Sequence, residues 1–270
     1  MNNKIEQNGL SKRAKPLVST AARIDMDLFM EALENQYHVK KNPTGAFALN
    51  VAENKIMGDQ VRRKLNDILS RNDFPEWVMG YTSMSGHPEV LEALAEFMQV
   101  HFGSDQITGE SICLTSGAAA ALEILSFVLS DPGDIVVIPA PAYPVYTSDL
   151  GIKSGMERFD LQTHVEIEAL SSLAMVDSKI LDKTLQELQL EGKNFRILML
   201  TTPDNPSGSI YSMEQLNEIA NWCEENSIHL VVNEIYALSL IDINDPEIQK
   251  EYHDGFPYQS FTRIMAERNS

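Results

Sequence analysis

Between Leu198 and Tyr236 the sequence runs LMLTTPDNPSG, a helical segment, then HLVVNEIY. Two apolar runs that end in polar residues and flank one helix describe two parallel strands of one sheet. Their carboxyl ends open on a common crevice, which is where open α/β sheets place ligands. Asn205 falls at the end of the first run, Asn233 and Tyr236 at the end of the second. Three polar groups are thereby expected to converge on something flat or anionic.

A chain of 270 residues suffices for one large domain or a large and a small one around a buried core. The net charge of −18 argues against nucleic acid and anionic membranes as partners, because phosphate neutralisation needs clustered Lys and Arg. Cys113 and Cys223 fall in an expected strand and an expected helix, and read as two buried thiols with no disulfide. The six histidines show no ligand spacing, so no metal site is expected. MNNKIEQNGLSKRAKP has no apolar core of the signal-peptide kind and no run reaches the length of a membrane span, so the expected compartment is the cytoplasm.

Along the chain, Met1 to about Ala22 reads as a polar, mobile arm. Asp25–Tyr37 has helical spacing, and Pro43, Thr44 and Gly45 end it. FALNVAENK follows, ending in Glu53 and Asn54; on chemistry alone Glu53 is equally a capping carboxylate. Gly58–Arg71 is an expected helix with Val61, Leu65, Ile68 and Leu69 on one face and a solvated basic face opposite. After Tyr81, in itself an unremarkable loop aromatic, Pro88 and Glu89 open a helix with Val90, Leu91, Leu94 and Phe97 inward. SICLTSGAAAALEILSFVL reads as strand, turn and helix, and the small residues Gly117, Ala118 and Ala119 would let a phosphate approach the helix N-terminus.

DPGDIVVIPAPAYPVY gives a turn, a buried strand Ile135–Ile138 and Tyr143 between prolines that fix the backbone. A short strand at Gly155–Asp160 follows, and LQTHVEIEALSSLAMV reads as an insertion. Asp177 caps a helix to Leu190, Arg196–Leu200 is a strand, and Ser212 with Gln215 forms a capping box for a helix carrying Leu216, Ile219, Ala220 and Trp222. Alternation along the last strand puts Asn233 and Ile235 on one side and Glu234, expected to be structural, on the other. A short helix is expected near Ser260–Glu267. No GxGxxG follows any expected strand, which leaves a dinucleotide-binding enzyme without support.

Taken together, LNVAEN, Tyr81 before a glycine-containing turn, PxPxYPxY, TTPDNPSG and NEIY make the chain from about Phe47 onward resemble the fold-type I, pyridoxal-phosphate-dependent aminotransferases. The nearest branch is that of the 1-aminocyclopropane-1-carboxylate synthases. The resemblance implies a three-layer α/β/α fold on a mostly parallel sheet. It implies an arm and part of a small domain over residues 1–45 and the large cofactor-binding domain over 46–270. It also implies an amino-acid substrate and a homodimer. Pyridoxal 5′-phosphate (PLP) would lie with its phosphate at Gly117, Ala118 and Ala119 and its ring face on Tyr143. Its phenolic oxygen would meet Asn205 and Tyr236, and its ring nitrogen Asn233. Glu53 and Tyr81 would line the substrate pocket, Tyr81 from across the dimer.

Two departures from the family pattern weigh most. The family places an aspartate where this chain has Asn233, so the charge-assisted bond that stabilises a protonated pyridine is lost. The family's Schiff-base lysine lies roughly forty residues beyond the NEIY tyrosine, past Ser270, and Lys250 comes too early. The expectation is therefore a truncated, split or frame-shifted product with no catalytic residue of its own, binding PLP non-covalently at most. The alternative is a non-catalytic relative that acts by binding a partner protomer. A threonine common near Ala119 is also missing, at a cost of about 0.5–1.5 kcal/mol of phosphate hydrogen bonding.

Overall fold

The computed structural model describes residues 9–19, 24–50, 52–54, 56–163, 176–240, 246 and 258–268, in two units, Met1–Tyr81 and Thr82–Ser270. The first unit holds helices α1 (Ala14–Ser19), α2 (Ile24–Glu34) and α3 (Gly58–Arg71) and a short 3-10 turn at Glu76–Met79. Helix α1 falls inside the stretch expected as an arm, started by the Ser11 hydroxyl, which accepts from the Ala14 N–H at 3.2 Å. The link from α2 to α3 is folded by Asn42, whose amide donates to Asn35 Oδ1 at 2.9 Å and to the Gln36 carbonyl at 3.0 Å. A side chain at Gly45 would come within 2.6 Å of the Gln36 backbone, so only glycine fits there.

Helix α3 has the expected bounds, but its apolar stripe is not inward: Val61, Leu65, Ile68 and Leu69 are all exposed. Periodicity encodes a stripe, not what covers it. The charged face is tied along the helix by Arg62–Asp59 and Arg71–Asp67 pairs at 2.9 and 2.8 Å, each worth about 0.2–0.5 kcal/mol.

In the second unit, strands β1 (Ile135–Ala140), β2 (Glu157–Gln162), β3 (Phe195–Thr201) and β4 (His229–Asn233) form one sheet in the order β2-β1-β3-β4. Every neighbouring pair is parallel. The chain steps outward from β1 to β2, then returns past β1 to β3 and β4. Winding reverses between β1 and β3, and their carboxyl ends frame the crevice that such a reversal creates.

Around the sheet lie α4 (Pro88–Phe102), α5 (Ala118–Leu129), α6 (Tyr146–Gly151), α7 (Ser178–Leu190), α8 (Met213–Glu225) and α9 (Phe261–Arg268). One face packs Val136, Ile138, Ile197 and Met199 with Leu122 of α5 and Tyr146 and Leu150 of α6. The other packs Val137, Leu198 and Leu200 with residues of α7, α8 and α9, among them Leu181, Leu216, Trp222 and Ile264. The chain is thus an α/β protein with helices on both faces of a parallel sheet. The caps act as expected: Asp177 accepts from the Ile180 N–H at 2.9 Å, and Ser212 and Gln215 form the reciprocal box.

Several local expectations need correction. In α4 only Leu91 and Ala95 are buried, whereas Val90 and Phe97 are exposed. The ICLT segment does not join the sheet among the described residues; it is extended backbone whose Leu114 N–H bonds the Ser85 carbonyl at 3.2 Å. Cys113 is accordingly exposed, while Cys223 on α8 is buried as expected. Residues 164–175 of the expected insertion lie outside the described residues, as do Lys250 and residues 1–8 and 20–23 of the arm; the insertion's first two residues belong to β2.

Strand β4 ends at Asn233, so alternation does not run through Glu234; this residue nonetheless turns away from Asn233 and is structural in a definite sense. Its carboxylate accepts from Tyr258 Oη (2.5 Å), Ser260 Oγ (2.9 Å) and the Phe261 N–H (2.9 Å), which docks the N-terminus of α9. Glu234→Ala is expected to cost about 2–3 kcal/mol through those charge-assisted bonds, measured as a fall in the urea midpoint. An unchanged midpoint would show that α9 is held by its apolar contacts alone.

Candidate functional site

Beyond β1, the prolines of PAPAYPVY fix φ and carry the chain over the sheet edge into α6. Tyr143 remains 38% exposed and Tyr146 only 3%. Their rings meet edge to face with centroids 5.3 Å apart, a favourable arrangement for two π-systems. From β2, Arg158 reaches the Tyr143 carbonyl at 3.4 Å and Thr147 Oγ1 at 3.3 Å, and is itself held by Asp160 at 2.6 Å. The loop bearing Tyr143 is thereby anchored at its base.

Beyond β3, the TTPDNPSG turn folds on Asp204, whose carboxylate accepts from the Ser207 N–H at 3.2 Å and Ser207 Oγ at 2.5 Å. Gly208 closes the turn with φ at 71°, the left-handed region that favours glycine. This holds Asn205 so that its amide donates to Tyr236 Oη at 3.1 Å. Thr201 and Asn233 are register partners on β3 and β4. Both meet Tyr146: its hydroxyl lies 2.8 Å from Thr201 Oγ1 and accepts from Asn233 Nδ2 at 2.8 Å. Burial pushes the Tyr146 phenol above its ordinary range, and the bonds with Thr201 and Asn233 oppose that shift only in part.

Helix α5 starts at Gly117, which has φ at 85° and open space where a side chain would be. No side chain caps it, so the first-turn amides, those of Ala118 and Ala119 included, have no intrahelical acceptor. Leu122, one turn on, packs in the same cluster as Tyr146, so this helix start lies on the face that carries the Tyr146–Asn233 contact. Beside the crevice a partly open pocket of about 50 Å³, roomy enough for more than one water, is lined by Ala140, Thr163, Thr201, Asp204, Ser209 and Tyr211.

Tyr143, Asn205, Asn233 and Tyr236 are thus brought to the carboxyl edge of one sheet. Glu53 and Tyr81 belong to the first unit and are exposed. Sequence reasoning missed Tyr146 and Thr201. The signal was present: Tyr146 stands three residues after Tyr143, one helical turn away, and Thr201 is the polar end of an otherwise apolar strand. Among the described residues, no three metal-binding side chains cluster and no helix is long and apolar enough to cross a membrane.

The model of the aminotransferase class I and II family matches residues 47–249. The chain belongs to that family. Over 212 residues it is 29% identical to the human protein called probable inactive 1-aminocyclopropane-1-carboxylate synthase-like protein 2, covering 77% of this chain and 37% of that one. It is 28% identical over 213 residues to 1-aminocyclopropane-1-carboxylate synthase 2 of Solanum lycopersicum, covering 76% and 43%. Among solved structures, it superposes on an archaeal alanine:glyoxylate aminotransferase with a TM-score of 0.65 and 21% identity, over 84% of this chain and 52% of that one. For the aspartate aminotransferase of Thermus thermophilus with maleate the TM-score is 0.65, with 22% identity over 95% and 57%. The chain spans less than half the length of these curated relatives. The aminotransferases and 1-aminocyclopropane-1-carboxylate synthases are PLP-dependent.

Proposed function

We propose that the crevice binds PLP and belongs to an enzyme that transforms amino acids, by transamination or by elimination of the synthase type. The observation that carries this reading is the meeting of Asn205 and Tyr236 at 3.1 Å, from the ends of two different strands, on the edge that also presents Tyr143. An amide N–H and a phenol side by side suit a phenolate oxygen, and a partly exposed ring suits a flat aromatic face. The uncapped start of α5 with open space before Gly117 suits a phosphate. When bound, PLP supplies an electron sink for bonds to an amino acid's α-carbon. The residues fit it at the phosphate, the ring face and the phenolic oxygen; at the ring nitrogen they offer the uncharged amide of Asn233.

Within the second unit the described lysines stand away from the crevice: Lys153 pairs with Glu123 and Lys193 with Glu191, while Lys179 and Lys183 lie exposed on α7. The proposal is therefore that these 270 residues hold PLP by hydrogen bonds and stacking, without a covalent bond. A cytoplasmic homodimer, with Glu53 and Tyr81 in a substrate pocket, completes the proposal. The uncharged Asn233 favours a second reading, a non-catalytic relative that works by binding a partner protomer.

Equilibrium dialysis of the full chain against PLP tests the first reading. Tyr143→Ala and Asn205→Ala are each expected to weaken binding about 3- to 10-fold, the size of one stacking or hydrogen-bond contribution. Borohydride treatment should leave the protein mass unchanged. Equal affinity in wild type and both variants would end the crevice assignment, and a stoichiometric adduct on one lysine would end the non-covalent one.

A further inference from the structure

The pocket beside the crevice is too small, at about 50 Å³, for an organic ligand of ordinary size, and the chemistry of its lining is lopsided. Pro139 and Pro141 bring no N–H to it. Ser207 has one hydroxyl hydrogen, and the Asp204 carboxylate 2.5 Å away takes it, because a charged acceptor outcompetes a neutral one. The 3.0 Å contact between Ser207 Oγ and Ser209 Oγ is then donated by Ser209. Thr163 gives its hydrogen to the Ala140 carbonyl at 2.9 Å. Ser209 and Thr163 have thus spent their hydrogens inside the protein and keep oxygen lone pairs. Asp204 adds a negative charge: Ser207 engages its Oδ2, whereas Oδ1 makes no hydrogen bond among the described residues.

Tyr211 completes this lining. It is only 4% exposed, yet its hydroxyl makes no hydrogen bond among the described residues. A buried hydroxyl without a partner is uncommon in a folded chain. Burial, and after it the Asp204 charge, push the Tyr211 phenol above its ordinary range, so the hydroxyl stays neutral. Among the described residues that line the pocket, no lysine or arginine offsets Asp204. One negative charge therefore stands beside neutral oxygens, a set that suits a hard cation carrying a single positive charge. A divalent ion would be left half neutralised in a partly buried place, and among the described residues no three metal-binding side chains cluster.

We propose that this pocket is a site for a small monovalent cation, potassium, sodium or ammonium, held by Asp204 Oδ1, Ser209 Oγ, Thr163 Oγ1 and Tyr211 Oη. The ion ties the turn beyond β3 to the end of β2, and so braces the turn that carries Asn205 whether or not a cofactor occupies the crevice.

The test is the urea midpoint of the full chain in potassium, sodium, ammonium and tetramethylammonium chloride at one ionic strength, the last cation being too bulky for the pocket. At least one of the three small cations should raise the midpoint, with a saturating concentration dependence, and which of them does so identifies the ion. Thallium NMR reads binding directly: added thallium(I) should show a saturable broadening that the same cation relieves. Asp204→Asn should weaken thallium binding about 10-fold or more through loss of the charge, and Tyr211→Phe about 3- to 10-fold through loss of one oxygen. Equal midpoints in all four salts would overturn the proposal, as would thallium binding that either variant leaves unchanged. If Asp204→Asn does not fold by circular dichroism, Tyr211→Phe, which keeps the ring and removes only the hydroxyl, decides alone.

Discussion

Replacing Trp222 with alanine is expected to lower the unfolding free energy by about 3–5 kcal/mol. The indole is 5% exposed on α8, tilts against Phe195 of β3 with centroids 5.8 Å apart, and donates from Nε1 to Asp182 Oδ1 of α7 at 2.8 Å. It therefore joins two helices and the strand that carries Asn205 at its far end. Alanine would leave a void at that junction and strip Asp182 of its donor. Phenylalanine keeps most of the packing and loses the hydrogen bond, so Trp222→Phe should cost about 1–2 kcal/mol. Urea unfolding followed by circular dichroism reads both. An alanine variant that loses less than about 1 kcal/mol would mean the layer collapses around the gap and that Trp222 is no keystone.

Alkaline pH is expected to destabilise the chain sooner and more steeply than its acidic composition suggests. Burial pushes the Cys223 thiol from 9.0 up to about 12. Burial likewise raises Tyr146 and Tyr211 above 10.0, and Tyr258 by burial together with its bond to Glu234. In each case the folded chain holds a proton that the unfolded chain releases earlier. The associated stability is therefore complete below pH 9, begins to fall as the unfolded thiol titrates, and falls faster once the unfolded phenols titrate above 10. Each such proton is worth about 1.4 kcal/mol per pH unit while only the unfolded group titrates, so by pH 11 the combined loss is of the order of the stability of many domains. Denaturant midpoints across this range provide the measurement. Cys223→Ala should delay the onset by about one pH unit, to where phenols begin to titrate. A midpoint that stays flat to pH 11 would show that these groups reach water in the folded state.

Much of this arrangement could be read from the residues. The strands that lead to Asn205 and Asn233, the caps at Asp177 and Ser212, and the buried faces of α7 and α8 follow from local rules: period, capping chemistry and proline geometry. Failures came where a residue's fate depends on distant chain. The ICLT segment has a strand's composition, yet pairing needs a neighbour at the right register, and its partner is a turn at Ser85. The α3 stripe was legible while its exposure was not. The network at Asn233 shows the same limit. Its place beside Tyr236 follows from spacing, but the group that its amide donates to is Tyr146, 87 positions earlier in the chain.

Strand β3 is a shared wall: Ile197 and Met199 face one packed layer, Leu198 and Leu200 the other. The crevice is furnished from the first side, because Tyr146 and Leu122 stand there. The two sides therefore answer to different demands. Exchanges of similar volume on the α7–α8 side can accumulate as long as the wall keeps its shape, whereas a single methyl gained or lost on the α5–α6 side shifts the phenol to which Asn233 donates. Drift among relatives should leave its imprint unevenly, with one layer free to vary and the other kept in step with whatever the crevice holds.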